Sequence, residues 1–396
     1  MDLTDRDRKQ IEAGGWKRRL DVDPYVRLGG KWVLNKDEQG RCVFLSDAGR
    51  CRIHEQQGFD AKPLACRLFP FTLSPVGHSV RAGWRFDCPT VARSQGKPMD
   101  ADEDALGVLA RELLGGRGRA KVEIQLKTGL PAQSAETGHL VGILDRWLRD
   151  GQRSPTDRLR GAIWLTSTLQ DAQLEAVREE RFVELVELLV AALPAELSAN
   201  VPSTPTSRQL RMLRQLAFAH TGHVSFAEMQ AGWGRSLACR WTQLCFSRRF
   251  RNGRGPVPSV IGNNGGEADF ADVDRVQPDN GQADRLNECV LRYLRGKLQT
   301  RTCFGPAYYG WAVLDGLSVL WLSVAVIGWW ARYFAAIRQT EAFGLEDLVR
   351  ALGVVDAGAG RIPILGSSAE RLRLRFLQAN QGIASLVERY SLWPSR

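Results

Sequence analysis

Gly316-Leu317-Ser318-Val319-Leu320-Trp321-Leu322-Ser323-Val324-Ala325-Val326-Ile327-Gly328-Trp329-Trp330-Ala331 runs sixteen residues without a charge between Asp315 and Arg332. A helix that crosses a bilayer needs about 20 predominantly apolar residues. The stretch is shorter than that and therefore predicts a fully buried helix at the centre of a C-terminal helical bundle. Trp329-Trp330 beside Arg332 leaves one alternative open, because paired tryptophans next to a basic residue also suit a membrane interface.

Helical texture extends outward from this stretch. Leu286, Val290, Tyr293, Leu294 and Leu298 form an apolar stripe at helical spacing with a polar opposite face, the pattern of a packed surface helix. Ser367 with Glu370 three residues later opens another helix, whose Phe376, Leu377, Ile383, Leu386, Val387 and Tyr390 can bury one side. Upstream, Leu106, Leu109, Leu113 and Leu114 begin a helical region from Ala101, with further helices expected at 139–149, 155–177, 180–193 and 207–233. Residues 251–282 hold Asn-Gly, Gly-Pro, Asn-Asn-Gly-Gly and Asp-Asn-Gly with few apolar residues, which predicts a surface loop or flexible linker.

The amino end reads differently. Thr4-Asp5-Arg6-Asp7 has the form of a capping box, so a short helix should run to Gly14-Gly15. Val26 to Val33 and Arg41 to Leu45 are short runs punctuated by glycine, which predicts small strands and turns. The expected fold class is mainly α: a small loop-rich cysteine-cluster domain with short strands over 1–96, a helical region over 97–250, a flexible linker over 251–282 and a C-terminal helical region over 283–396. A chain of 396 residues can hold two or three domains, and 44% hydrophobic with 25% charged residues argues against general disorder.

Met1-Asp2-Leu3-Thr4-Asp5-Arg6-Asp7-Arg8 has no apolar run of the kind a secretory signal needs, so a cytoplasmic location is expected. In that reducing setting clustered cysteines are metal-binding or catalytic more often than disulfide-bonded. The net charge of +10 comes from dispersed arginines. Such a surface attracts polyanions weakly and predicts no specific nucleic acid. The expected partner is another protein.

Four of the eight cysteines, Cys42, Cys51, Cys66 and Cys88, share one short window. Thiols gathered in this way suggest a zinc or iron-sulfur site. No Cys-x-x-Cys knuckle is present, so each ligand would come from a separate loop. Arg41, Arg50, Arg52, Arg67 and Arg85 lie beside these cysteines and are expected to favour thiolates. Cys239, Cys245, Cys289 and Cys303 read as isolated small buried side chains, with a second site as the alternative. His54 follows Cys51 closely and is the one histidine that could serve as a nitrogen ligand, the alternative being that it packs or caps locally. His220 and His223 stand three apart, but no acidic residue completes a metal motif around them.

The phrases Gly40-Arg41-Cys42-Val43-Phe44-Leu45, Gly49-Arg50-Cys51-Arg52-Ile53-His54-Glu55, Lys62-Pro63-Leu64-Ala65-Cys66-Arg67-Leu68-Phe69-Pro70-Phe71 and Asp87-Cys88-Pro89 carry a resemblance. Over roughly residues 1 to 92 the chain resembles the CxxCxxCC or YkgJ-type cysteine-cluster family of zinc- or iron-chelating proteins, which includes the flagellin lysine N-methylases. The resemblance implies a metal or iron-sulfur site of up to eight cysteines, with Cys42, Cys51, Cys66 and Cys88 as its downstream set. In that family the CxxCxxCC block lies just upstream of a segment like Leu3-Thr4-Asp5-Arg6-Asp7, where this chain begins. We expect a block lost to a late start, the alternative being a member that binds less metal or none.

Two functions follow as expectations. One is a metal- or cluster-binding protein whose helical part docks a protein partner. The other, implied by the resemblance, is an S-adenosylmethionine-dependent protein lysine N-methyltransferase, although no glycine-rich strand-to-helix turn of the Rossmann type is present in the sequence. A membrane-associated redox or assembly factor is a third, resting on the tryptophan-rich stretch.

Overall fold

The computed structural model of the protein describes residues 2–28, 30–76, 79–99, 103–114, 123–199, 201–222, 233–260 and 267–393. The fold is mainly α, and among the described residues strands occur only in short two-stranded pairs. Pairs of this size cannot form a core alone, so apolar burial is left to the helices.

The chain divides into two compact units, each discontinuous in sequence. The first comprises Met1–Thr72, Lys97–Arg119 and Val224–Leu244, and the second Leu73–Gly96, Ala120–His223 and Cys245–Arg396. This corrects the linear partition expected from composition. Residues 73–96 belong with the helical unit because Ser79–Trp84 packs on the Ala283–Thr300 helix, while Phe86, Val91 and Ala92 sink into that unit's core.

At the centre of the second unit runs the helix Val313–Ile337, longer than the uncharged stretch within it. By length and composition it could cross a membrane, yet 89% of its most apolar window is buried within the protein. The helices Leu345–Gly358, Pro155–Asp171, Gly382–Arg389, Phe270–Arg275 and Ser207–Ala219 pack around it. Trp321, Trp329 and Trp330 are fully buried, and Phe250 and Phe270 add rings to the cluster around Trp329. Arg332 extends the helix past the uncharged stretch because its charge is absorbed locally. It donates to the Gly328 carbonyl at 3.1 Å and the Ser391 carbonyl at 2.9 Å, and lies over the rings of Phe343 and Tyr390.

The stripe Leu286, Val290, Tyr293, Leu294 and Leu298 is buried on the Ala283–Thr300 helix as its spacing requires. Ser367 caps the Ser368–Gln378 helix through the Glu370 amide, and a separate helix, Gly382–Arg389, follows. The expected helix over 207–233 ends at Ala219, with His220 as its buried C-cap; residues 223–232, including His223, lie outside the described residues.

Of the expected linker 251–282, residues 261–266 also lie outside the described residues. The remainder is packed. Val257, Ala268, Phe270, Val273 and Val276 are buried, and Phe270–Arg275 is a helix capped at both ends of its first turn by Asp269 and Asp272. Its few apolar residues are spaced so that each meets the core, a pattern that turn-forming neighbours disguise in the sequence.

Candidate metal centre

The first unit is built on a small core of Ile11, Trp16, Leu20, Leu34, Val43, Phe44 and Ile53. Cys42, Cys51 and Cys66 pack against it as half-buried side chains. The local sequence explains how two turns and a short helix deliver them.

Two successive turns have the same construction. In the first, the Asp37 amide donates to the Arg41 carbonyl at 2.8 Å, Gly40 takes φ 78°, and Cys42 bridges Lys36 in antiparallel fashion. In the second, the Ser46 amide donates to the Arg50 carbonyl at 2.8 Å, Gly49 takes φ 72°, and Cys51 bridges Leu45. Positive φ is where glycine alone is unstrained, which is why each turn carries one. Each turn is also tied by a side chain: Asp37 accepts from the Arg41 amide at 2.8 Å and Ser46 from the Arg50 amide at 3.2 Å. The repeated Gly-Arg-Cys phrase is therefore a repeated turn that ends on a thiol. Between them the Phe44 carbonyl accepts from the Arg52 amide at 2.8 Å, and the Phe44 ring meets Trp16 edge-on at 5.3 Å.

Cys66 arrives by another route, on the Leu64–Leu68 helix that follows Pro63. Asp7 positions that helix. Its amide donates to the Thr4 hydroxyl at 3.1 Å and its carboxylate accepts from the Thr4 amide at 2.8 Å, closing the capping box foreseen in the sequence. The same carboxylate accepts from the Leu64 amide at 2.9 Å, and Asp7 is buried. One aspartate thus satisfies orphan donors of two helices. Arg67 is buried beside Cys66, donating to the Lys62 carbonyl at 2.9 Å and pairing with Glu112 at 2.7 Å.

The three thiols feel one another. Burial, foremost, pushes the Cys66 thiol up to about 11, and negative charge on Cys42 and Cys51 pushes the same way while Lys62 opposes it. Cys42 is raised by burial and by Cys51, against a hydrogen bond from the Phe44 amide. Cys42 and Cys66 are raised where the flanking arginines were expected to favour thiolates, and carboxylates already hold three of those arginines: Arg41 is bound to Asp37, Arg50 to Glu55 and Arg67 to Glu112.

Cys88 belongs to the second unit and is buried in its apolar core as the N-cap of the Pro89–Ala92 helix. Nearby, Arg85 pairs with Asp87, and Asp356 accepts from the Phe86 amide at 2.7 Å and pairs with Lys297. Cys289 and Cys303 are buried small side chains of the same core, each pushed up to about 12 by burial. Cys239 and Cys245 lie half-buried on the Trp233–Asn252 helix. His54 stacks edge-on against Phe59 at 6.0 Å. No disulfide joins any of the cysteines.

Zinc and iron-sulfur clusters take soft thiolate donors, and the donor chemistry of Cys42, Cys51 and Cys66 fits them. The finished geometry does not: among the described residues, no group of three or more His, Cys, Asp and Glu side chains is arranged to hold a metal ion. The sequence signal that locates Cys42 and Cys51 is the duplicated Gly-Arg-Cys; Cys66 lies outside that phrase, and Asp7 as a positioning residue carried no such signal. No family model, curated protein or solved structure matches the chain.

Proposed function

We propose that the first unit is a thiol-based metal-binding module of a cytoplasmic protein, in which Cys42, Cys51 and Cys66 supply ligands to zinc or an iron-sulfur cluster. The observation that carries the reading is the packing of three thiols, brought by two turns and a short helix, against one small core, where burial and the neighbouring thiols raise Cys42 and Cys66. A bound cation reverses that repulsion, so metal binding and thiol deprotonation are coupled. Drawing the donors into a coordination shell requires side-chain movement from the arrangement described. Cys88 has a capping position in a different core and is left out of the ligand set.

Reconstitution of the reduced full chain under anaerobic conditions, with zinc or with iron and sulfide, tests the reading through metal content and visible absorption. Zinc leaves the protein colourless and a cluster colours it brown. Cys66→Ser should lose metal and Cys88→Ser should keep it. Unchanged metal content in Cys66→Ser would remove Cys66 from the ligand set. The methyltransferase reading gains nothing from the fold, since among the described residues no open parallel sheet of the Rossmann type is present.

A further inference from the structure

Between Glu228 and Glu267 the chain carries six arginines and no carboxylate. Five of the six lie on the Trp233–Asn252 helix. At 3.6 residues per turn, a helix fixes which of its side chains share a face. Arg240, Leu244, Arg248 and Arg251 stand at i, i+4, i+8 and i+11 and form one stripe. Trp241 lies at its edge, three residues before Leu244. All five are exposed, Trp241 by 64% and Leu244 by 56%. From Arg240 to Arg251 the stripe is about 16 Å long.

The helix is fastened on another side. Phe250 is buried, its ring set among Phe218, Phe270 and Trp329, and its carbonyl accepts from Arg214 at 3.1 Å. The arginines of the stripe are unmatched: among the described residues no carboxylate pairs with Arg240, Arg248 or Arg251. Arg41 and Arg50, equally exposed, each hold one. Uncompensated positive charge and two large apolar side chains thus occupy the same solvent-facing stripe.

We propose that this face of the Trp233–Asn252 helix docks the protein on an anionic lipid surface. A bilayer presents its negative charge as a continuous plane, so a straight stripe of arginines meets it along its whole length. Its interfacial layer also takes tryptophan and leucine, while arginine stems lie among them with their heads at the phosphates. A nucleic acid would supply the charge, but it would stack on Trp241 and leave Leu244 without a use. The contact is peripheral, because the apolar Val313–Ile337 helix stays buried within the protein. It is independent of the thiols of the first unit.

Co-sedimentation of the full chain with vesicles of phosphatidylcholine and phosphatidylglycerol in about equal parts tests the proposal, with pure phosphatidylcholine as the control. The protein should pellet with the anionic vesicles alone, and less of it as salt is raised. Arg240→Gln combined with Arg248→Gln should weaken the association about fivefold per arginine. Trp241→Ser should weaken it at unchanged charge and decides the matter if the double variant does not fold. Arg18→Gln, exposed on a different helix, should bind as the wild type does. Absence of pelleting with anionic vesicles, binding unchanged in the stripe variants, or an equal loss per arginine in Arg18→Gln overturns the proposal. So does retention on poly-glutamate or single-stranded oligothymidine without vesicle binding, which would assign the face to an acidic polypeptide or a nucleic acid.

Discussion

Replacing Gly328 with alanine sets two effects of opposite sign against each other. Alanine in a helix interior gains about 1 kcal/mol over glycine, so without a close neighbour the change would stabilise the protein. At Gly328 a Cβ would stand 2.0 Å from the Tyr390 carbonyl oxygen and 3.1 Å from its carbon. That neighbour is backbone and cannot rotate away. Tyr390 is pinned as well, its amide donating to the Leu386 carbonyl at 3.0 Å and its hydroxyl to Asp274 at 2.8 Å. Relief requires the Val313–Ile337 and Gly382–Arg389 helices to separate, which disturbs the Arg332 bonds to Gly328 and Ser391. Overpacking of this kind costs roughly 1–3 kcal/mol or more, and a clash with backbone lies at the upper end. The net expectation is a loss of about 1–2 kcal/mol, read as a fall of a few degrees in Tm. Gly353 supplies the control, because it lies in the Leu345–Gly358 helix with nothing within 4 Å of its Cβ position. Gly353→Ala should gain about 0.5–1 kcal/mol. Urea and thermal denaturation, followed by circular dichroism and tryptophan fluorescence, measure both variants together. A Gly328→Ala protein as stable as the wild type, or more so, refutes the packing argument.

In the first unit, Cys66 is raised to about 11 and Cys42 in the same direction, so the folded metal-free chain holds protons that the unfolded chain releases from about pH 8.5. Stability should therefore fall as pH rises from there towards 11, and Cys66→Ala should flatten that fall in urea titrations across the range; a fall of equal size in the variant contradicts the assignment. Asp7→Ala strips the Leu64 amide of its buried acceptor and opens the capping box, which should cost about 2–3 kcal/mol; hydrogen exchange at Leu64 checks this, since retained protection would show another acceptor. In the second unit, Asp356→Asn leaves Lys297 without its buried partner and should cost about 3–5 kcal/mol, so an unchanged denaturation midpoint would argue against the pairing.

How much of this was open to reading depended on how local each cause was. The central helix, the Leu286 to Leu298 stripe and the Thr4 capping box announce themselves through spacing within a few turns, and the structure places them accordingly. The duplicated Gly-Arg-Cys is local too, because each turn closes on itself. What stayed hidden is long-range. Asp7 reads as a cap, and nothing nearby says that its second oxygen serves the Leu64 amide. The arginines beside the cysteines suggested thiolate support, but the charges of Arg41, Arg50 and Arg67 are matched by Asp37, Glu55 and Glu112, the last far away in sequence. Cys88 sat in the same sequence window as the other three, yet Phe86, Val91 and Ala92 carry its segment into another core. Residues 251–282 looked like linker because turn formers outnumber the buried Val257, Phe270 and Val273.

Whether Cys42, Cys51 and Cys66 act as one donor set is read most directly by alkylating the reduced full chain with and without zinc and measuring each cysteine by mass spectrometry. Addition of about one equivalent of zinc should protect all three together and leave Cys239 and Cys245 unchanged, and Cys66→Ser should release the protection of the other two. Equal alkylation of Cys42, Cys51 and Cys66 with and without zinc contradicts a shared metal site.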